Sequence, residues 1–166
     1  MDAIKVLKNR RSVRLFLDKP IVKEDLESLI DVARFAPTAR NVQPWEFVVV
    51  TDKKVLTKIA NLAENGRFIS GAGACIAVFC AETKYYLEDG CAATVNILNA
   101  AAALGIGSCW VAGDKKDYAD TVLQLLSLPS GYKLISLIAL GYPKDKDAFR
   151  VTDKRPLKEL IHWERF

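Results

Sequence analysis

Apolar residues recur along this chain in two rhythms, one at every third or fourth position and one in short continuous runs, which together predict alternating helices and strands. Residues 2–9 read as a short first helix, with Ala3, Ile4 and Leu7 on one face and lysines on the other. Residues 23–36 predict a longer helix. There Leu26, Leu29, Ile30, Ala33 and Ala36 keep helical spacing, and Glu24 and Asp25 suit the first turn. Residues 47–50 predict a buried strand, and residues 53–62 a helix with Leu56, Ile59, Ala60 and Ala63 inward. A looser glycine-containing stretch then leads to a second core strand at 75–80.

The longest helical pattern covers 85–104 and is rich in alanine from Gly90 onward, which predicts a buried helix packed closely against another. Gly105 is placed to end it. A strand running into Gly113 follows at 107–113, and Asp114 is expected to cap a helix through Leu126. Residues 133–140 give the last core strand, and a short helix reaching Ile161 precedes Trp163 and Phe166, which have little local core to join.

Between the second helix and the first strand lies a stretch the periodicity does not claim, residues 36–47. Pro37 and Pro44 stiffen it, and Thr38, Asn41 and Gln43 line it with polar groups. A plain surface loop and a ligand-contacting loop are both open at this point.

The 166 residues are 51% hydrophobic and 27% charged, the balance of one folded domain, and we expect a single domain across the whole chain. No apolar run approaches membrane-spanning length and no signal sequence opens the chain, so a cytoplasmic protein without membrane attachment is expected. Four cysteines without a C-x-x-C pair and one histidine give no support to a metal site or a Ser-His-Asp hydrolase. The net charge of +4 fits an anionic ligand or a weak polyanion contact. Its placement is more telling. If residues 10–14 are extended, Arg10, Ser12 and Arg14 share one side, with Arg11 beside them, and a second basic pair stands at Lys154 and Arg155. Such clusters serve either as solvated turns or as anion clamps.

Cationic groups, an amide-rich loop and a glycine-ended strand suit a flat phosphorylated ligand such as flavin mononucleotide. Five segments then carry a resemblance to a known family: N-R-R-S-V-R at 9–14, A-P-T-A-R-N-V-Q-P-W-E-F at 36–47, A-L-G-I-G-S-C-W at 103–110, A-L-G-Y-P at 139–143 and K-R-P-L at 154–157. In this order the chain resembles the FMN-dependent nitroreductases, in particular their short members. The resemblance implies an α+β fold with a mixed, mostly antiparallel sheet flanked by helices, in an intertwined homodimer with FMN at the interface.

It further implies Arg10, Arg11 and Ser12 at the FMN phosphate and ribityl chain, Arg14 at the pyrimidine edge, and Lys154 and Arg155 completing the phosphate clamp. Pro37, Thr38 and Asn41 would be offered by the partner subunit, Asn65 and Arg67 would lie near the ring, and Gly113 would give its N–H to flavin N5. The reaction implied is ping-pong hydride transfer from NADH or NADPH through N5 to nitroaromatic, quinone or similar flat acceptors. No protein side chain is assigned as catalytic, and Tyr85 and Tyr86 read as packing. Reductive dehalogenation, flavin breakdown or a non-enzymatic basic anion-binding module are the alternatives; nucleic acid is not an expected partner. Two departures from the family pattern stand out: Ala112 replaces an acidic residue common before the glycine, and the tail after Pro156 is short.

Overall fold

The computed structural model describes residues 2–145 and 147–166. The first helix, α1 (Ala3–Asn9), starts where Asp2 accepts the Ile4 N–H at 2.9 Å, which satisfies one of its unpaired donors. Its expected apolar face is turned outward: Ile4 is 57% exposed, and Val6 is the buried residue of this helix. The next helix, α2 (Lys23–Ala33), stops three residues before the periodicity does. Pro37 bars Ala36 from helical geometry, and the chain tightens first, Phe35 returning to the Val32 carbonyl at 3.2 Å and Ala36 to that of Ala33 at 3.0 Å.

The strands are β1 (Trp45–Val50), β2 (Ala74–Ala81), β3 (Gly107–Ala112) and β4 (Tyr132–Gly141). They form one sheet in the order β1-β2-β4-β3, and each neighbouring pair is antiparallel. The expected mixed sheet is therefore corrected. β2 and β3 do run parallel, as strands joined by a helical crossover tend to, but β4 is inserted between them. Its continuous apolar run, buried from Leu134 to Gly141, takes the central place. Among the described residues the one parallel pairing is an isolated bridge between Ser12 and Ser108. β1 lies at the sheet edge, and Val49 is 40% exposed, so it is less buried than its valines suggest.

Period-two alternation on β2 divides the core. Ala74, Ile76, Val78 and Cys80 face α2 and α4 (Tyr86–Ala103), while Cys75, Ala77 and Phe79 face α3 (Lys53–Leu62) and α5 (Ala119–Leu125). The alanine-rich α4 crosses the first face, where it packs against α2 and the sheet. Gly90 sets that approach, since a Cβ there would lie 2.6 Å from the Ile135 side chain and 2.9 Å from Cys80 Sγ. No described helix is long and apolar enough to cross a membrane.

Two local departures shape the end of the sheet that carries the site. The β2–β4 register slips between Val78, opposite Ser136, and Phe79, opposite Leu134, which leaves Ile135 as an extra residue, a β-bulge. Asp114 does not cap a helix: α5 begins five residues later, at Ala119, and Asp114, Lys115, Asp117 and Tyr118 lie in turns. The Asp114 carboxylate instead accepts the Tyr86 hydroxyl at 2.9 Å.

Candidate functional site

The site is built where residues 10–17 lie along the sheet. Val13 donates its N–H to the Ser108 carbonyl at 2.9 Å, and Leu17 donates to that of Tyr142 at 2.8 Å. Two glycines admit this segment: a Cβ at Gly107 would meet Val13 at 2.9 Å, and one at Gly141 would meet Phe16 at 2.7 Å. With Val13 buried, alternation turns Ser12 and Arg14 the other way.

Arg10, Ser12 and Arg14 all act on the electrostatics of Cys109 on β3, while Arg10 and Arg14 line different hollows. Burial pushes the Cys109 thiol up, and this is opposed by the charge of Arg14, a hydrogen bond from Ser12 and the charge of Arg10. A cleft of about 730 Å³ opens beside Arg14, with Asn65, Phe68, Trp110, Ala112, Lys115 and Lys116 among its lining residues. The Arg14 guanidinium stands 5.8 Å from the centre of the Phe68 ring. A second hollow, of about 660 Å³, lies at the other end of the segment and is lined by Lys5, Lys8, Arg10, Arg11 and Lys154, with Asp2 the one acid. Arg11 Nη1 donates to the Arg10 carbonyl at 2.5 Å, while its Nε and Nη2 are buried with no hydrogen-bond partner among the described residues. Buried guanidinium donors without acceptors are costly unless an anion reaches them. Residues 10–14 thus run from a basic hollow to a cleft with aromatic walls.

Other expected residues lie elsewhere. Arg67 is exposed and does not line the cleft. Arg155 turns to its own short helical turn, 3.8 Å from Glu159, so Lys154 alone of that pair joins the basic hollow. Pro37, Thr38 and Asn41 line neither hollow. Thr38 donates to the buried Asp89 at 2.8 Å and accepts the Gln43 N–H at 3.1 Å, while the Asn41 side chain accepts from that of Gln43 at 3.1 Å. The loop is therefore ordered from within, with Arg40, Asn41 and Gln43 at φ of 54, 57 and 52°.

Gly113 requires a correction. Its N–H donates to the Ile135 carbonyl at 3.0 Å, inside the sheet, and cannot also face the cleft. A Cβ there would lie 2.5 Å from Leu134 and 2.9 Å from the Ile135 backbone, so the glycine is needed to pass the bulge. Because inward and outward bonding alternate along an antiparallel strand, the N–H groups on the free edge of β3 are those of Trp110 and Ala112. The Ala112 carbonyl, on that edge too, accepts the Tyr118 hydroxyl. Trp110, Phe68, Tyr118 and the two lysines are among the cleft residues that sequence reading missed. The alternation of β3 around buried Cys109 and Val111 was the available signal for Trp110.

Known proteins resemble this chain in sequence and in fold. A family model described as the nitroreductase family matches residues 7–74 and 81–142. A protein of Archaeoglobus fulgidus, assigned as an NADH dehydrogenase/NAD(P)H nitroreductase, is 36% identical, and the match covers 99% of each chain. A Parabacteroides distasonis structure with the same assignment superposes at a TM-score of 0.92 with 29% identity, covering 99% of this chain and 98% of that one. A Desulfovibrio desulfuricans protein assigned as a nitroreductase, solved in complex with FMN, gives 0.86 and 28% identity, covering 100% of this chain and 98% of that one. On the extent of the family match and on the archaeal relative, this chain belongs to the nitroreductase family.

Proposed function

We propose that this nitroreductase-family flavin NAD(P)H oxidoreductase binds FMN along residues 10–14, with the phosphate in the basic hollow and the ring in the 730 Å³ cleft. The observation that carries this reading is the continuity of one short segment between the two. Arg11, with two buried donors lacking acceptors, fits a phosphate oxygen, and Arg10 and Lys154 supply further positive charge beside it. The cleft fits a planar ring, having Trp110 and Phe68 as walls and backbone donors on the free edge of β3.

Bound there, FMN would accept hydride from NADH or NADPH and pass it to a nitroaromatic, quinone or similar flat acceptor in ping-pong order. The chain's residues supply position and charge. Arg14 sets a fixed cation where reduction adds negative charge, Ser12 would offer its hydroxyl to the phosphate end or ribityl chain, and Ala112 takes over the N–H donor role first expected of Gly113. Asn65, on the cleft wall, would hydrogen-bond the ring edge.

The same reading includes a homodimer. Residues 36–47 line neither hollow of their own chain, while Ile4, Leu7 and Trp163 expose apolar surface; Trp163 is 79% exposed. Pro37, Thr38 and Asn41 would then meet the flavin of the partner subunit. Purification gives the test. A yellow protein of twice the monomer mass that releases FMN and oxidises NADH or NADPH with nitrofurazone or menadione supports the proposal. A colourless protein that takes up no added FMN would sink it.

A further inference from the structure

We propose that Lys115 and Lys116 form an anion subsite at the rim of the ring-sized cleft, so that planar acceptors carrying a carboxylate are preferred to neutral counterparts of the same shape. This rests on the reading of the cleft as the redox site. Both lysines line that cleft together with Trp110 and Arg14, and both also line a neighbouring hollow of about 250 Å³, so they stand on the ridge between the two.

Their backbone is tied down from several sides. The Lys116 N–H returns to the Gly113 carbonyl at 3.3 Å, and the Ala119 N–H to that of Lys116 at 2.8 Å. Tyr86 of α4 holds Asp114 at 2.9 Å, and the Tyr118 hydroxyl closes the turn onto Ala112. Lys115 sits at φ of 57°, a left-handed conformation that a lysine adopts only against its preference. Local propensity therefore does not explain a lysine here, whereas its place on the cleft rim does.

The described acids nearby are not in ion-pair contact with the two lysines. Glu64 and Asp117 line the same cleft, and Asp114 and Asp120 line the adjoining hollow. Among the described residues none of them forms an ion pair with either lysine, although Lys23, Lys53 and Lys133 each have such a partner. An acceptor stacked on a flavin seated in this cleft would present its substituents toward the rim that Lys115 and Lys116 line. A carboxylate there receives charge-assisted hydrogen bonds from two ammonium groups whose backbones are already placed.

The test is calorimetric titration of the FMN-loaded protein with 4-nitrobenzoate and with 4-nitrobenzyl alcohol, which differ in charge at nearly the same shape. The acid should bind about tenfold more tightly at low salt, and raised ionic strength should erase the difference. The double variant Lys115→Asn, Lys116→Gln removes both charges, and asparagine tolerates the left-handed turn. It should lose about that factor for the acid and much less for the alcohol. Equal affinities in the native protein, or parallel losses for both ligands, overturn the subsite. Should circular dichroism show the double variant misfolded, Lys116→Gln and the salt series decide instead. A protein that binds no FMN and oxidises no NAD(P)H removes the proposed function and the subsite with it, whereas an FMN-loaded, active protein with equal affinities removes the subsite alone.

Discussion

Thr38 donates its hydroxyl to the Asp89 carboxylate at 2.8 Å, a bond that ties the 36–47 loop to the first turns of α4. The other carboxylate oxygen accepts the Ala39 N–H at 3.1 Å, so one buried acid satisfies two groups of the loop. Asp89→Ala leaves both donors without their acceptor and should cost about 2 kcal/mol in urea denaturation. Asp89→Asn, which keeps an acceptor, should cost less. Hydrogen exchange at Ala39 should quicken in the alanine variant, and unchanged stability and exchange would show that the loop holds itself.

Gly113 separates packing from cofactor contact. An added Cβ meets Leu134 at 2.5 Å and the Ile135 backbone at 2.9 Å, so Gly113→Ala should lower stability by about 1 to 3 kcal/mol, seen as a fall in Tm. Ala112→Pro removes the free-edge N–H instead and should weaken FMN binding, read by flavin fluorescence. A stable Gly113→Ala protein with impaired FMN binding would reverse the assignment.

Arg11 carries buried donors without partners among the described residues. Replacing it by Met should stabilise the FMN-free protein by about 1 kcal/mol, because an unpaired polar group leaves the interior. The same change should shrink the rise in Tm that added FMN produces. A loss of stability in the free protein would mean that Arg11 already has its counter-charge.

Arg14 lines the cleft from the exposed side of its strand-like segment. Arg14→Ala should make the bound flavin harder to reduce, lowering its midpoint potential by tens of millivolts, with about 30 mV for each tenfold change in a two-electron couple. Spectroelectrochemical titration reads this directly. An unchanged potential with FMN still bound would place Arg14 away from the reducible ring.

Cys75 and Cys80 are buried, and burial pushes each thiol up to about 12 from an ordinary value of 9.0. For Cys80 the nearby charges of Asp89 and Cys91 act in the same direction. In the folded protein these thiols stay protonated where unfolded thiols ionise, so the unfolded state releases protons first. Their stabilising contribution is full below about pH 9 and is lost as pH rises toward about 12. Denaturation midpoints across this range should fall more steeply in the native protein than in Cys75→Ala. A thiol reagent at pH 8 should leave Cys75 and Cys80 unlabelled until the protein is unfolded.

Much of the architecture was legible in the residues. The α3 boundaries, the apolar stripe of α2 and the close packing of α4 follow from spacing and side-chain size, which are local properties. The outward turn of Ser12 and Arg14 was legible for the same reason: extended chain alternates, and buried Val13 fixes which side faces in. The family resemblance rested on motif order, which the family model and the archaeal relative bear out.

What the sequence by itself determined, then, is most of the elements, the buried faces of α2, α3 and the central strands, and the basic segment at 10–14. Tertiary structure decided the rest, because each remaining feature depends on a partner distant in the chain. β4 enters between two parallel-running strands, so the sheet is antiparallel rather than mixed. The extra residue Ile135 aligns with Gly113 and draws its N–H inward, which leaves Ala112 on the free edge. Arg155 turns to Glu159 while Lys154 joins the hollow, although the two adjoin in sequence. Side chains one residue apart take different surroundings according to what the fold sets opposite them, and no local pattern carries that information.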